Sequence, residues 1–240
     1  MVTYGPTRYI PLASGTDRRK DPTIVMANTL RKEAGVSPDG ASPLVLVVDD
    51  DPDVRASLTD MFMSIGMETA VFASTAELLE HGLPNRPSCL ILDLRMPGSG
   101  GLELQARLVD EKVGVPIIFL TGYADVTTSV RAMKAGAVDF LPKPFRQQEL
   151  LEAVSDALRR DAQRRVQDEE VNAVRALAQH LTPRERDVLK GVKRGLLNKQ
   201  IAFELGITEI TVKMHRSSAG KKLKSVSVAD MIRKVELMGL

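Results

Sequence analysis

The sequence predicts an α/β domain on a five-stranded, doubly wound parallel sheet, followed by a small all-α domain. Three observations carry this. Five apolar runs alternate with five helical patterns between residues 44 and 159. The runs are apolar nearly throughout, as in a sheet buried on both faces, rather than at every second position. Beyond residue 180 no such run recurs, and short helical segments joined by a glycine turn replace it.

The strand runs are LVLVVD from Leu44, TAVF from Thr69, CLILDL from Cys89, PIIFLT from Pro116 and VDFLPKP from Val138. Between the first two, Arg55–Ile65 carries Leu58, Met61, Phe62 and Ile65 at helical spacing. Ser74-Thr75-Ala76-Glu77 is a capping box that starts the next helix. Leu102–Val109, Val126–Ala135 and Gln147–Arg159 complete the set. Residues 161–180 are highly charged and helix-compatible, and read as a linker able to carry the fifth helix onward. A second capping box at Thr182-Pro183-Arg184-Glu185 opens the last domain, with Pro at the first helical position. LNKQIAFELG, a turn at Gly206-Ile207 and TEITVKMHRSSAGKKL then form a helix-turn-helix, and SVADMIRKVEL closes it. The organisation expected is a disordered extension at 1–41, an α/β domain at 42–160, a linker at 161–180 and a helical domain at 181–240.

Composition narrows the function. The chain of 240 residues suits two small domains. With no Trp and 4% aromatics, base-stacking platforms and aromatic cages are disfavoured. One cysteine, Cys89, excludes an internal disulfide and fits a reducing cytoplasm. No run approaches the roughly 20 apolar residues of a membrane span, and the N-terminus lacks a signal-peptide core, so no membrane partner is expected. Three histidines and one cysteine build no credible zinc site. The net charge of +2 hides an asymmetry: residues 41–150 sum to −6 and residues 175–240 to +8. The basic half calls for a polyanionic partner.

In a doubly wound sheet the ligand site lies where the strands end, at the switch point. Asp49 and Asp50 end the first strand here, Asp93 the third, Thr121 the fourth and Lys143 the fifth. A flavodoxin-like order 2-1-3-4-5 makes strands one and three neighbours, so the three aspartates converge with Thr121 and Lys143 on the rim. Clustered carboxylates need a cation, and Mg²⁺ takes carboxylate, carbonyl and phosphate oxygens. Thr and Lys are phosphate-oxygen partners. The set points to Mg²⁺-assisted phosphoryl transfer onto a carboxylate.

The motifs VVDDD, LDLRMPG, FLTGYAD and MKAGAVDFLPKPF resemble the receiver domain of two-component response regulators. LTPRE, NKQIA and TVKMH resemble the LuxR-type helix-turn-helix, so residues 44–238 together resemble FixJ/NarL-type regulators. The resemblance implies Asp93 as phospho-acceptor, and Asp50, Asp93 and the Arg95 carbonyl as Mg²⁺ ligands, with Asp49 acting mainly through water. It implies that Thr121 and Lys143 hold the phosphoryl oxygens, that Phe140 and Thr121 form the switch, and that Lys143-Pro144 is cis. Asp51 is left a loop role. The implied partners are a sensor histidine kinase, double-stranded DNA, RNA polymerase and, once phosphorylated, a second copy of the chain.

By family position Thr208–Leu223 is the recognition helix. Lys213, Met214 and Ser217 would face the major groove, and Lys199, Thr211, Arg216 and Lys221 would contact phosphates. Gly220 inside that helix costs about 1 kcal/mol. It either loosens the helix or permits close packing.

Two rival readings are weaker. A haloacid-dehalogenase-type phosphatase would use Asp49 and Asp51 as its Asp-x-Asp, but it lacks a downstream acidic motif and leaves LDLRMPG unexplained. A receiver working without phosphorylation would have no use for the full acidic set.

Overall fold

The computed structural model describes residues 42–98, 100–122 and 126–240; the expectation for residues 1–41 lies outside them. In chain order the elements are β1 Leu44–Val48, α1 Pro52–Ser64, β2 Glu68–Phe72, α2 Thr75–His81, β3 Ser88–Asp93, α3 Gly101–Asp110, β4 Ile117–Thr121, α4 Val126–Lys134, β5 Asp139–Pro142 and α5 Gln147–Ala178. There follow α6 Pro183–Lys193, α7 Asn198–Leu205, α8 Glu209–Lys222 and α9 Val228–Leu237. The chain divides into two compact units between Ala162 and Gln163, within α5.

All five strands are parallel, in the order β2-β1-β3-β4-β5. Every residue of β1, β3 and β4 is buried, which explains why these strands read as unbroken apolar runs. The two-residue period splits them between two cores. Val45, Val47, Ile91, Ile118 and Leu120 pack with Leu58 and Phe62 of α1 and with Leu150, Val154 and Leu158 of α5. Leu46, Val48, Leu90, Leu92 and Phe119 pack with Leu78 of α2, Leu104 and Leu108 of α3 and Ala132 of α4. The switch point therefore falls between β1 and β3, where helices leave to opposite faces.

One helix start and one cap differ from the sequence reading. α1 begins at Pro52 rather than Arg55, because the Asp51 carboxylate accepts the Asp53 N–H at 2.8 Å and Pro52 takes the first turn. Asp51 is thus an N-cap and not a plain loop residue. At α2, Ser74 Oγ accepts the Glu77 N–H at 3.2 Å, but Glu77 Oε2 accepts the Ala73 N–H at 2.6 Å, one residue before the cap.

In the second unit Thr182 and Glu185 form the reciprocal box that their spacing predicts. Gly206 ends α7 at φ +64°, a left-handed turn that glycine takes without strain. Thr208 then caps α8 by accepting the Thr211 N–H at 3.2 Å. A Cβ on Gly220 would lie 3.0 Å from Met231 Cε, so this glycine permits close packing of α8 on α9. Among the described residues no helix is long and apolar enough to cross a membrane.

Candidate functional site

The first site forms where β1, β3, β4 and β5 end. Asp49 follows β1, Asp93 closes β3, Thr121 closes β4 and Lys143 follows β5. Asp49 (1% exposed), Asp93 and Thr121 are buried, Lys143 is half-buried, and Asp50 is exposed on the turn into α1. One carboxylate oxygen from each of Asp49, Asp50 and Asp93 lies within 4.8 Å of the others, a spacing that one metal ion can bridge. Lys143 Nζ donates to Asp49 Oδ2 at 2.6 Å and to Asp93 Oδ2 at 2.8 Å. The other oxygens are held by main-chain donors: Asp51 N–H on Asp49 Oδ1 and Arg95 N–H on Asp93 Oδ1, both at 3.0 Å. Lys143 itself is anchored by its N–H on the Thr121 carbonyl at 2.7 Å, and its peptide to Pro144 is cis.

Burial pushes the Asp49 carboxyl above its ordinary value, and nearby Asp93 adds to this, against the opposing bonds from Lys143 and the Asp51 N–H. For Lys143, burial favours the neutral amine, yet the hydrogen bonds it donates to Asp49 and Asp93 outweigh this and raise its pKa. The pocket thus holds a fixed ammonium against a carboxylate that resists carrying its charge unaided.

Arg55 was not anticipated. From the first turns of α1 its guanidinium donates to the Asp49 carbonyl at 2.6 Å, tying the turn that carries Asp50. Its only sequence signal is its place one turn after the aspartates. Phe140 stands apart from these polar contacts. It is half-buried on β5, paired in register with Phe119, the ring centroids 6.3 Å apart.

The second site is the exposed face of α8. Lys213, Met214, Ser217 and Lys221 are exposed there, and Lys199 is exposed on α7. Lys213 pairs with Glu209 one turn earlier at 3.4 Å. Arg216 is half-buried, with Nη1 donating to Asn198 Oδ1 at 3.1 Å, and so ties α8 to the start of α7. Thr211 shares the N-cap, its Oγ1 2.8 Å from Thr208 Oγ1. The sequence reading missed Glu185 as more than a cap. Glu185 is 3% exposed; its Oε1 accepts from Ser218 Oγ at 2.7 Å and its Oε2 from Lys222 Nζ at 2.8 Å. Burial raises its pKa, but Lys222, Ser218 and the Thr182 N–H outweigh that and hold it down at about 2.

Known proteins resemble both parts of the chain. Residues 45–155 match the response regulator receiver domain, and residues 179–235 match the luxR family of bacterial regulatory proteins. The chain is 47% identical over 210 residues to nodulation protein W of Bradyrhizobium diazoefficiens, covering 88% of this chain and 92% of that one. It is 42% identical over 193 residues to response regulator protein TodT of Pseudomonas putida, covering 80% and 85%. A solved structure of the response regulator StyR aligns with TM-score 0.70 and 47% identity, covering 82% of this chain and 99% of that one.

Proposed function

The chain belongs to the response regulators that join a receiver domain to a LuxR-type DNA-binding domain in transcription regulation, and on that premise we propose that a sensor histidine kinase phosphorylates Asp93, driving dimerisation and sequence-specific binding to double-stranded DNA. The observation that carries the proposal is the convergence of Asp49, Asp50, Asp93 and Lys143 from three strand ends. Residues 42–160 act as the receiver, 161–180 as linker and 181–240 as the DNA-binding domain, working in the cytoplasm. The DNA-bound dimer acts on RNA polymerase.

The donor set fits Mg²⁺: three carboxylate oxygens within 4.8 Å, hard ligands of the kind this ion takes, with the Arg95 carbonyl two residues beyond Asp93. When bound, Mg²⁺ would offset the clustered negative charge and polarise phosphoryl oxygens. The protein's own groups do the rest. An Asp93 oxygen attacks the phosphorus of the kinase's phosphohistidine, the P–N bond breaks and an acyl phosphate forms. Lys143 exchanges its Asp93 partner for a phosphoryl oxygen, and the Thr121 hydroxyl takes another. The movement of Thr121 vacates space that the Phe140 ring fills, biasing the surface of α4, β5 and the first turns of α5 towards pairing. Hydrolysis of the acyl phosphate in the same pocket resets the switch, so the chain catalyses only its own phosphoryl chemistry.

With Mg²⁺ and acetyl phosphate, the full chain should gain one hydroxylamine-labile phosphoryl group, read by intact mass. Asp93→Asn should gain none, because an amide is not a nucleophile here, and Asp50→Ala should lose most of it. Undiminished labelling of Asp93→Asn would overturn the assignment.

A further inference from the structure

Glu185 has no place in the phosphoryl chemistry, and its capping box accounts for only one of the bonds its carboxylate accepts. The other two reach α8, 33 and 37 residues later, at Ser218 and Lys222. These two positions are one helical turn apart and share a face. Lys213, Ser217 and Lys221 repeat every four residues and form a separate, exposed stripe. Each residue turns a helix by about 100°, so the Ser218–Lys222 line lies that far around α8 from the Ser217–Lys221 line. Whatever fixes the first line sets the angle of the second.

The magnitude matters. Side chains reach about 5–6 Å from a helix axis, so a rotation of 20° moves their tips by about 2 Å. Hydrogen bonds to base edges tolerate far less. Elsewhere α8 is held by apolar packing of Val212, Ala219 and Leu223 and by Arg216 on Asn198. Apolar contacts are non-directional. Two bonds donated by Ser218 and Lys222 to one buried carboxylate, itself fixed by the Thr182 N–H at 2.8 Å, supply direction.

We propose that Glu185 is a positioning residue for DNA readout: by clamping Ser218 and Lys222 it sets the angle at which α8 presents Lys213, Ser217 and Lys221, and it withholds Lys222 from the DNA phosphates. The inference rests on the reading of α8 as the helix that enters the major groove. It makes two adjacent lysines different in kind. Lys221 is exposed and available to a phosphate, whereas Lys222 is half-buried and tied to Glu185.

The test uses the full chain and a randomised 20-base-pair duplex library. Duplexes retained by the wild type are sequenced, and affinity is then measured for one retained duplex and its scrambled counterpart across salt concentrations. In Glu185→Gln the amide keeps one acceptor but gives Lys222 up. The retained-to-scrambled affinity ratio should fall about tenfold while the salt slope on the scrambled duplex steepens by about 1, from the freed Lys222. Lys222→Met keeps the methylene packing and removes the charge. It should lower the ratio with no change of slope, and it stands as the test if Glu185→Gln loses its helical circular dichroism. An unchanged ratio in the folded variants overturns the inference, as does a salt slope flattened by about 1 in Lys222→Met, which would make Lys222 an ordinary phosphate contact. A wild type that retains no duplex overturns the DNA reading of α8 and the inference with it.

Discussion

At the end of the sheet, Lys143 reaches carboxylates 94 and 50 residues earlier in the chain, whereas Lys213, Met214, Ser217 and Lys221 are exposed neighbours on the single helix α8. The first site is assembled by tertiary structure and held by bonds between buried groups. The second is prepared by tertiary structure but left open for a partner. The difference predicts how each site fails. Changes beneath the receiver pocket should displace the chemistry itself. Changes at the exposed residues of α8 should alter affinity or preference without unfolding anything, and the two plans meet at Glu185 on α6, which holds α8 from beneath.

Two glycines put that contrast to its largest test. A Cβ on Gly101 would lie 2.5 Å from the Asp93 carbonyl and 3.0 Å from Phe119 Cε1, so the main chain of the proposed acceptor would have to move. Gly101→Ala should cost about 3 kcal/mol, at the upper end for overpacking, and depress phosphoryl labelling in the fraction still folded. A Cβ on Gly191 in α6 would lie 2.7 Å from Cγ1 and 3.0 Å from Cδ1 of the buried Ile201, so the clash falls on a core side chain and not on main chain. Alanine also recovers about 1 kcal/mol of helix propensity there. Gly191→Ala should therefore cost no more than about 1–2 kcal/mol and leave labelling unchanged. Equal losses from both in thermal melts would break the comparison.

Next in size is Lys213→Ala. The Glu209 pair beside Lys213 is exposed and worth only about 0.3–0.5 kcal/mol, too little to keep the ammonium from a guanine edge. If Lys213 reads such an edge, its loss should weaken the preferred duplex by about 1–3 kcal/mol and relax preference at that base. Unchanged affinity and preference would move the readout to other positions of α8.

The pH dependence of Glu185 sharpens the exception. Its carboxyl is held at about 2 in the folded protein against an ordinary 4.5, a depressed value. The stabilisation it brings is complete above pH 4.5 and fades as pH falls from there towards 2. Melting temperatures of the wild type and Glu185→Gln should differ at pH 6, and the gap should narrow through that window. Carboxylates in the receiver titrate alike in both proteins and drop out of the difference. A gap independent of pH would mean that the carboxylate acts by shape alone.

How much of this was legible in the sequence follows the same division. The strand ends were readable because each polar residue interrupts an apolar run: Asp49 after LVLVV, Asp93 after CLIL, Thr121 after IIFL. The parallel order then brings them together, as found. The bounds of α8 were readable because Thr208 and Gly206 are local signals, and the helix lies one residue inside each end of the predicted span. The start of α1 was also local, with Asp51 before Pro52, but the apolar period begins only later and hid it. Glu185 could not be read beyond its cap, because Ser218 and Lys222 become its neighbours only once α6 packs on α8. Arg216 carried the same charge signal as Lys221, and only the fold shows that one bonds Asn198 while the other stays exposed.

That last pair gives the smallest effect. Lys221 lies in the final turn of α8, exposed, where a cation also suits the negative end of the helix dipole. A phosphate contact there carries no base information, because every sequence presents the same backbone. Lys221→Ala should weaken the preferred and scrambled duplexes by the same factor, leaving their ratio intact. It should also flatten the dependence of affinity on salt by about 1, the counterions released by one phosphate. Arg216→Ala should not show this pattern, because its guanidinium already serves Asn198. Its loss should loosen α8 against α7 and lower the ratio instead. If Arg216→Ala flattened the slope and spared the ratio, the guanidinium would leave Asn198 for the DNA, and Arg216 would join the open site rather than the prepared one.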